Sequence, residues 1–200
     1  MTALAKADFR RNVPTSDPLP VDADGKVFRG AMRQLASGVS VITHGAGAES
    51  AGLTVTSVSS LSADPPTLIV CINRASASYS GLARGTPFGV SVLGADQQEF
   101  ADRFAGRTDL KGVERFREGP WFVTQTGVRL LRDSAAMFEC EVEEIIERHT
   151  HAIIVGGVRC AAASSLGGAL VYWRGGYDRL GWTADELSRA AGQTPRSASR

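Results

Sequence analysis

Hydroxyl side chains crowd one short segment, residues 53–62, which otherwise shows the apolar alternation of a strand. The hydroxyls belong to Thr54, Thr56, Ser57, Ser59, Ser60 and Ser62. Short uncharged donors of this kind suit phosphate oxygens and the polar atoms of a heteroaromatic ring, above all where a strand end leaves backbone N–H groups free. On composition alone, a Ser/Thr-rich edge strand facing water explains the segment equally well.

A second group of hydroxyls follows Asn73 and Arg74, where the sequence predicts a short helix over residues 77–84. It consists of Ser76, Ser78, Tyr79 and Ser80. A helix N-terminus beside a guanidinium group favours a bound anion. Ordinary N-capping by serine is the alternative, and the segment taken by itself supports both interpretations.

The histidines and glycines give no catalytic pattern. His44, His149 and His151 have no carboxylate or cysteine at the spacing of a nucleophilic site. The latter two would share one face of a strand, which permits a metal ion, but a turn with exposed histidines is the simpler explanation. Gly45 and Gly47 lack the third glycine of a dinucleotide-binding loop. We therefore predict neither a catalytic group nor a metal site.

Two helices are expected among the elements that must position these groups. Residues 1–24 are polar and proline-containing, which predicts an arm that is mobile or packs on a partner. Apolar residues then recur at helical spacing over residues 26–38, with Asp24 as the N-cap, and predict a covering helix. A second helix is predicted over residues 96–106, with Glu99 completing a capping box.

Most of the remaining chain alternates between apolar and polar residues, as strands do. The first two predicted strands form a hairpin: residues 39–41, and a strand that starts at Leu53 and is ended by Pro65 and Pro66. The others are residues 67–72, 88–92, 138–142, 153–158 and 170–173. Residues 107–134 are predicted to be loop and short turns. Because few helices separate the strands, we expect a mainly β fold, an antiparallel sheet curled into a small barrel with a few covering helices.

Composition bounds the function. The chain has 200 residues, of which 43% are hydrophobic and 22% charged, and a net charge of +1. These values fit one folded domain, residues 25–182, with a polar tail over 183–200 that we predict to be disordered. They argue against nucleic acid or a membrane as partner, and the chain shows neither an apolar span nor a signal segment, so a cytoplasmic location is expected. The three cysteines are predicted to be buried and reduced.

Successive blocks of the sequence resemble the short-chain flavin reductase family, the reductase components of two-component flavin monooxygenases. The matching blocks are residues 28–43, 52–66, 70–74, 88–93, 98–106, 136–140, 151–156 and 170–180. They keep the family's order from residue 28 to residue 180. The resemblance implies an FMN-binding split barrel, a homodimer, non-covalent FMN or FAD, and NADH or NADPH as co-substrate. It also implies that free flavin and a separate flavin-dependent monooxygenase are partners.

The resemblance also implies which residues bind. In the family, the strand that matches residues 53–62 contacts the flavin ring and phosphate, which carries this role to Thr54, Val55, Thr56, Ser57 and Ser60. The ribityl and phosphate end is implied for Cys71, Ile72, Asn73, Ser76, Ser78 and Tyr79. Phe104 matches an aromatic residue near the flavin.

The nicotinamide contact falls on His151, which matches the histidine of the family's Gly-Asp-His motif. Here His149 and Thr150 replace the Gly-Asp pair, and Gly157 stands where glutamate is usual. Tyr177 matches an aromatic residue that walls the nicotinamide site, although an aromatic packed at a barrel end is an equally good interpretation. These departures concern nicotinamide docking rather than flavin binding.

Two functions from different classes follow. The first is a reductase that transfers hydride from a nicotinamide to the flavin, a step that needs alignment more than an acid or base. The second is a flavin-binding carrier or sensor without turnover. A relative of pyridoxamine-phosphate oxidases is disfavoured, because the matching blocks are those of the reductases.

Overall fold

The computed structural model describes residues 22–164 and 167–181. The predicted tail, residues 183–200, lies outside the described residues, as does the predicted arm up to residue 21. The chain divides into two compact units between Met32 and Arg33. The domain limits at residues 25 and 182 stay predictions. No helix of the described part is long and apolar enough to span a bilayer.

The first unit contains helix α1 (Gly25–Met32). The predicted N-cap is confirmed, because Asp24 Oδ1 accepts hydrogen bonds from the Lys26 and Val27 amides at 2.7 and 2.8 Å. The helix ends at Met32, however, and the prediction that it reaches residue 38 is wrong. Residues 37 and 38 instead pair with another strand, so they are unavailable to a helix.

The second unit is mainly β. Its strands within the described residues are β1 (Ser37–Gly38), β2 (Ser40–His44), β3 (Ala51–Val55), β4 (Ser59–Ala63), β5 (Pro66–Asn73), β6 (Pro87–Val92), β7 (Trp121–Val123), β8 (Arg129–Leu131), β9 (Ala136–Arg148), β10 (His151–Ala163), β11 (Ala169–Trp173) and β12 (Gly176–Leu180). Helix α2 (Gln98–Phe104) and the 3₁₀ turns Gly47–Glu49 and Gly112–Phe116 connect them.

Seven strands form one antiparallel sheet in the order β3-β2-β6-β9-β10-β5-β4. The two edge strands, β3 and β4, are consecutive in the chain and are separated only by residues 56–58. So short a connection requires the sheet to curl until its edges meet, which makes a barrel that is split between β3 and β4. The predicted antiparallel split barrel is confirmed. Its interior is filled by the buried side chains of Ile42, Val70, Phe88, Val90 and Ile154, among others.

A smaller sheet, β1-β11-β12, and the hairpin β7-β8 complete the unit. Helix α2 belongs to a second buried cluster, in which Phe104 makes edge-to-face contacts with Phe116 and Trp121 at centroid distances of 5.0 and 5.6 Å. Such contacts favour a fixed ring geometry beyond simple burial. This cluster anchors the C-terminal end of α2.

Three predictions about local structure are wrong. Residues 53–62 are not one strand, because the chain leaves β3 at Val55 and enters β4 at Ser59 on the opposite sheet edge. Residues 77–84 form successive turns rather than a helix. Serine side chains there bond to nearby backbone, as Ser80 does to the Ala77 carbonyl at 3.1 Å, and so compete with helical hydrogen bonding. The capping box at Glu99 is also absent, since Gln97 is the N-cap of α2 and makes no side-chain cap bond.

Other differences concern segments with weak sequence patterns. Residues 107–134, predicted to be loop, include the hairpin β7-β8, and β12 was not predicted. The cysteines are free as predicted, but only Cys140 is buried, whereas Cys71 is half-buried and Cys160 exposed. Cys160 is exposed because the last residues of β10 extend beyond the barrel core.

Candidate functional site

A cleft of about 370 Å³ opens beside the split in the barrel, and we call it the split cleft. It is lined by Leu53, Thr54, Val55, Thr56, Ser57, Cys71, Asn73, Ala105, Arg107, His151, Tyr172 and Tyr177. Eight of these were predicted as site residues: Thr54, Val55, Thr56, Ser57, Cys71, Asn73, His151 and Tyr177. A larger cavity of about 460 Å³ lies beside the hairpin β7-β8, and no predicted site residue lines it. The fold therefore brings part of the predicted site together in this cleft.

The hydroxyls beside the split have different roles. Thr54 Oγ1 donates to the Ala101 carbonyl of α2 at 2.7 Å. Ser57 Oγ donates to the Cys71 carbonyl at 2.8 Å and accepts from the Cys71 amide at 3.1 Å, so it joins the two sides of the split. The Thr56 side chain is exposed and has no hydrogen-bond partner among the described residues. Of these three hydroxyls, that of Thr56 is the one left for a ligand.

The backbone between β3 and β4 offers further donors. Thr56, Ser57 and Val58 lie outside both strand ladders. In the described chain no turn or loop hydrogen bond starts from their amides. Because backbone N–H groups need a partner, this connection is suited to the oxygens and nitrogens of a ligand.

The opposite wall is formed where the last residue of β5 lies beside the first residue of β10. Asn73 pairs with His151 in the strand register, and both residues line the cleft. Thr150 Oγ1 and His151 Nδ1 are 2.8 Å apart, which restrains the imidazole. His149 lies in the tight turn before β10 with a φ of 51°. The expectation that the two imidazoles share one strand face is wrong, because His149 is not in the strand.

An ionic group ties this wall to the turns that follow β5. Arg74 Nη2 lies 2.9 Å from Glu147 Oε2, and Arg74 Nη1 donates to the His149 carbonyl at 3.1 Å. The Tyr79 hydroxyl donates to Glu147 Oε1 at 2.7 Å, and this hydrogen bond raises the pKa of Tyr79. The group thus holds the turn of His149 and Thr150 against residues 74–79.

The remaining predicted residues do not line the cleft. They are Ser60, Ile72, Ser76, Ser78, Tyr79 and Phe104. Ile72 is buried in the barrel because strand alternation turns it away from the face of Cys71 and Asn73. Ser78 is buried and donates to the Gly52 carbonyl at 2.9 Å. Phe104 packs inside the aromatic cluster, so its position near the flavin stays a prediction.

Four lining residues were not predicted: Leu53, Ala105, Arg107 and Tyr172. A local signal existed for Arg107, since it follows Gly106, the residue expected to end a helix. Gly106 has a φ of 75°, and the Arg107 amide donates back to the Asp102 carbonyl at 3.0 Å. A glycine with positive φ that reverses the chain in this way directs the next side chain to one defined place.

Arg107 gives the cleft its charge. Its Nη1 lies 2.8 Å from Asp102 Oδ1, and its guanidinium group stands over the Tyr177 ring at 5.0 Å. The hydrogen bond to Asp102 raises the pKa of Arg107, whereas burial raises the pKa of Tyr177. Tyr172 packs edge-on against Tyr177 at 5.4 Å. Arg107 therefore stays charged and Tyr177 stays neutral at neutral pH.

The donor set fits a flavin. Uncharged hydroxyl and amide groups at residues 56–58 suit the polar edge of a heteroaromatic ring, and the two tyrosine rings provide an aromatic wall. A metal ion is a poorer fit, since no group of three or more His, Cys, Asp or Glu side chains in the described residues could hold one.

The surroundings of Gly157 bear on the absence of a side chain at this position. A Cβ atom placed on Gly157 would collide with the carboxylate of Glu143, a residue of the neighbouring strand β9. The space beside Gly157 is therefore already filled by a glutamate carboxylate from β9.

Comparisons with known proteins identify the family of the chain. Residues 32–181 match the family model described as the flavin reductase like domain. An FMN reductase (NADH) RutF of Methylorubrum populi is 38% identical over 161 residues, which cover 79% of this chain and 76% of the relative. An NADH:FAD oxidoreductase of Streptomyces globisporus C-1027, solved with NAD and FAD fragments, has a TM-score of 0.73 and 28% identity, covering 82% of this chain and 98% of that one.

A third similar protein is BorF, the flavin reductase component of a bacterial two-component tryptophan halogenase. Its structure has a TM-score of 0.70 and 34% identity, covering 78% of this chain and 98% of BorF. The match of the family model spans most of the chain and includes every residue that lines the split cleft. The chain belongs to the flavin reductase-like family, and it is a flavin reductase.

Proposed function

We propose that the protein transfers hydride from NADH or NADPH to non-covalently bound FMN or FAD and supplies the reduced flavin to a separate flavin-dependent monooxygenase. The observation that carries the proposal is the cleft beside the barrel split, where Thr56 and Ser57, whose amides make no turn or loop hydrogen bond in the described chain, line the same cleft as His151 and Tyr177. NADH is the first choice of reductant, because similar proteins are named FMN reductase (NADH) and NADH:FAD oxidoreductase.

The residues of the cleft bind and orient. Residues 56–58 would hold the polar edge of the flavin ring, with Ser57 keeping this connection fastened to β5. His151 and Tyr177 would position the nicotinamide from the opposite wall. A flavin supplies the hydride acceptor, and alignment of the two rings is the contribution required of the protein. This division of labour accounts for a site with no acid–base pair.

A homodimer and a partner enzyme belong to the same proposal. BorF serves a two-component halogenase, which supports a flavin-dependent enzyme as the recipient of the reduced flavin. A second copy of the chain would supply another wall for an open surface cleft. The cytoplasmic location stays a prediction of the sequence.

The sequence also left open a flavin-binding carrier or sensor without turnover. The family assignment disfavours it, because similar proteins are named FMN reductase (NADH) and NADH:FAD oxidoreductase.

Stopped-flow oxidation of NADH and NADPH, each with FMN and with FAD, separates the two. A reductase oxidises many equivalents of nicotinamide per chain when free flavin is added. A carrier or sensor binds flavin, visible as protein-bound yellow colour, and oxidises no more than about one equivalent. The preferred pair of substrates is read from the same four kcat/KM values.

A further inference from the structure

The two ring nitrogens of His151, a residue that lines the split cleft, are in different situations. Nδ1 lies 2.8 Å from the Thr150 hydroxyl oxygen, Oγ1. Nε2 has no hydrogen-bond partner among the residues that the structure describes. An imidazole whose Nδ1 is already bonded contacts a ligand through Nε2.

The Thr150 hydroxyl is as specific in its bonding as the ring is. Within residues 22–164 and 167–181, Oγ1 makes no hydrogen bond other than the one to His151. The carboxylate of Glu147, which lies close by in the chain, is engaged by Arg74 at 2.9 Å and by the Tyr79 hydroxyl at 2.7 Å. The imidazole is therefore held by a neutral group that can donate or accept a hydrogen bond, not by a carboxylate.

The backbone that carries this hydroxyl is fixed by a neighbouring segment. The Arg74 amide donates to the Thr150 carbonyl at 3.0 Å, and Arg74 Nη1 donates to the His149 carbonyl at 3.1 Å. His151 itself pairs with Asn73 in the strand register. The threonine side chain is β-branched, which restricts rotation about its χ1 torsion. The hydroxyl oxygen thus has a defined place relative to the imidazole.

The exposure of His151 makes this restraint important. Because the residue is exposed, close packing does not select the rotamer of its side chain. A side chain that is mobile before binding loses conformational entropy when a ligand immobilises it, and a side chain that is already held loses less. The bond to Thr150 supplies the restraint that burial supplies in a protein core.

We infer that Thr150 is a positioning residue for the nicotinamide substrate: its hydroxyl holds the His151 imidazole through Nδ1 and so presents Nε2 to the dinucleotide. The inference rests on the proposed reductase function and deepens it. Thr150 does not line the split cleft, so its effect on the substrate passes through His151.

The first test removes the hydroxyl and keeps the shape of the side chain. Thr150→Val should raise the KM for NADH about two- to tenfold, as the loss of one hydrogen bond implies, and leave the FMN Kd within about twofold of the wild type. Thr150→Ser restores a hydroxyl and should recover most of the lost affinity for NADH. An unchanged KM for NADH in Thr150→Val would overturn the inference.

A matched control is available in another turn. Thr126 Oγ1 donates to Glu139 Oε1 at 2.6 Å, and neither residue lines the split cleft. Thr126→Val therefore removes a comparable hydroxyl bond at a distance from His151, and both the KM for NADH and the FMN Kd should stay at the wild-type values. A KM increase in Thr126→Val equal to that in Thr150→Val would show a general structural effect and overturn the inference.

A double-mutant cycle with His151→Ala separates positioning from direct contact. Thr150→Val should add no further increase in the KM for NADH once the imidazole is absent, because a residue that acts through another then has nothing to position. The same increase with and without the imidazole would show that Thr150 acts independently of His151, and it would overturn the inference.

Binding measurements distinguish a failure of this inference from a failure of the reductase proposal. If the wild type oxidises no NADH, the proposed function fails, and calorimetry with NAD⁺ tests the inference on the same cycle of variants. We then expect Thr150→Val to weaken NAD⁺ binding about two- to tenfold only where His151 is present. Equal Kd values for the wild type and Thr150→Val, or a wild type that does not bind NAD⁺, would overturn it.

Discussion

At the scale of single residues, Thr56 and Ser57 are neighbours with different roles. The Ser57 hydroxyl is used twice by the fold, as donor to the Cys71 carbonyl and as acceptor from the Cys71 amide. The Thr56 hydroxyl faces the cleft and has no partner in the described chain. One hydroxyl is therefore structural, and the other is available to a ligand.

Thr56→Val should weaken flavin binding about two- to tenfold and leave the free energy of unfolding unchanged, because it removes a hydrogen bond to the ligand only. Ser57→Ala should lower the free energy of unfolding by about 1 to 2 kcal/mol, because the Cys71 carbonyl and amide lose their partner. Fluorescence titration with FMN and urea unfolding measure the two effects. Equal flavin Kd values for Thr56→Val and the wild type would show that this hydroxyl faces only water.

His151→Ala should raise the nicotinamide KM while the flavin Kd stays near that of the wild type, since the imidazole is assigned to dinucleotide docking. His149→Ala is the matched control, because His149 lies in the preceding turn and does not line the cleft. Steady-state kinetics with each nicotinamide and a flavin titration give both values. A tenfold weaker flavin Kd with unchanged nicotinamide KM would place the imidazole at the flavin instead.

At the scale of elements, strand β2 supports the turns behind the cleft through a buried histidine. His44 is 5% exposed, and its Nε2 lies 2.7 Å from the Ser78 carbonyl, which requires the Nε2–H tautomer as donor. Gly81 packs so closely on the imidazole that a Cβ atom there would collide with it. Burial lowers the pKa of His44, while the bond to the Ser78 carbonyl opposes this by a smaller amount.

This histidine makes stability depend on pH in a defined direction. Because the folded state resists protonation, the unfolded state binds the proton first as the pH falls through the ordinary value of about 6.5. The free energy of unfolding should be level above pH 7 and decrease below pH 6.5, by at most about 1.4 kcal/mol per pH unit. Urea unfolding between pH 7.5 and 5.5 measures the slope. His44→Gln, which can still donate, should flatten it, and an unchanged slope would assign the effect elsewhere.

The three cysteines differ in exposure, and we expect their thiols to differ in reactivity accordingly. Burial raises the pKa of the Cys140 thiol to about 12, so it should resist alkylation until the protein unfolds. Cys160 is exposed and should react first, and the half-buried Cys71 lines the cleft. Saturating FMN should therefore slow labelling of Cys71 without affecting Cys160, as peptide mass spectrometry of iodoacetamide adducts can show. Equal protection of both cysteines by FMN would contradict this placement of the flavin.

At the scale of the whole molecule, several large apolar side chains remain open to solvent. Leu61 on β4 is 58% exposed, and Val123 on β7 is 52% exposed. In the proposed homodimer, side chains of this kind would be the ones that a second copy covers.

Light scattering at micromolar concentration should accordingly give twice the chain mass of 21.1 kDa. If the second copy completes the flavin site, dilution below the dimer Kd should also weaken flavin binding, measured by fluorescence at decreasing protein concentration. A monomer that binds flavin with undiminished affinity would rule the dimer out.

How far the sequence could predict this molecule depended on the kind of signal. The antiparallel strands were predictable, since Cys140 and Val142 alternate with glutamates as in a half-buried strand. The break between Val55 and Ser59 was not, because alternation carries no information about which sheet edge a strand joins. Arg107 and Tyr172 were missed for a related reason, because their place in the cleft results from tertiary contacts between distant segments. Tyr172 lies in a recognisable block, as His151 and Tyr177 do, but the block alone did not mark it as a lining residue.

The three-residue connection from one sheet edge to the other has a consequence for the local opening of the barrel. Residues 56–58 are at once the link that closes the barrel and the segment proposed to hold the flavin. Opening either edge strand must then dismantle the ligand contacts, so a bound flavin should raise the cost of local opening by RT ln(1 + [L]/Kd). Amides of β3 and β4 should gain hydrogen-exchange protection together when FMN is added. If reduced flavin leaves by this route, its release rate equals the rate at which the connection between β3 and β4 opens locally.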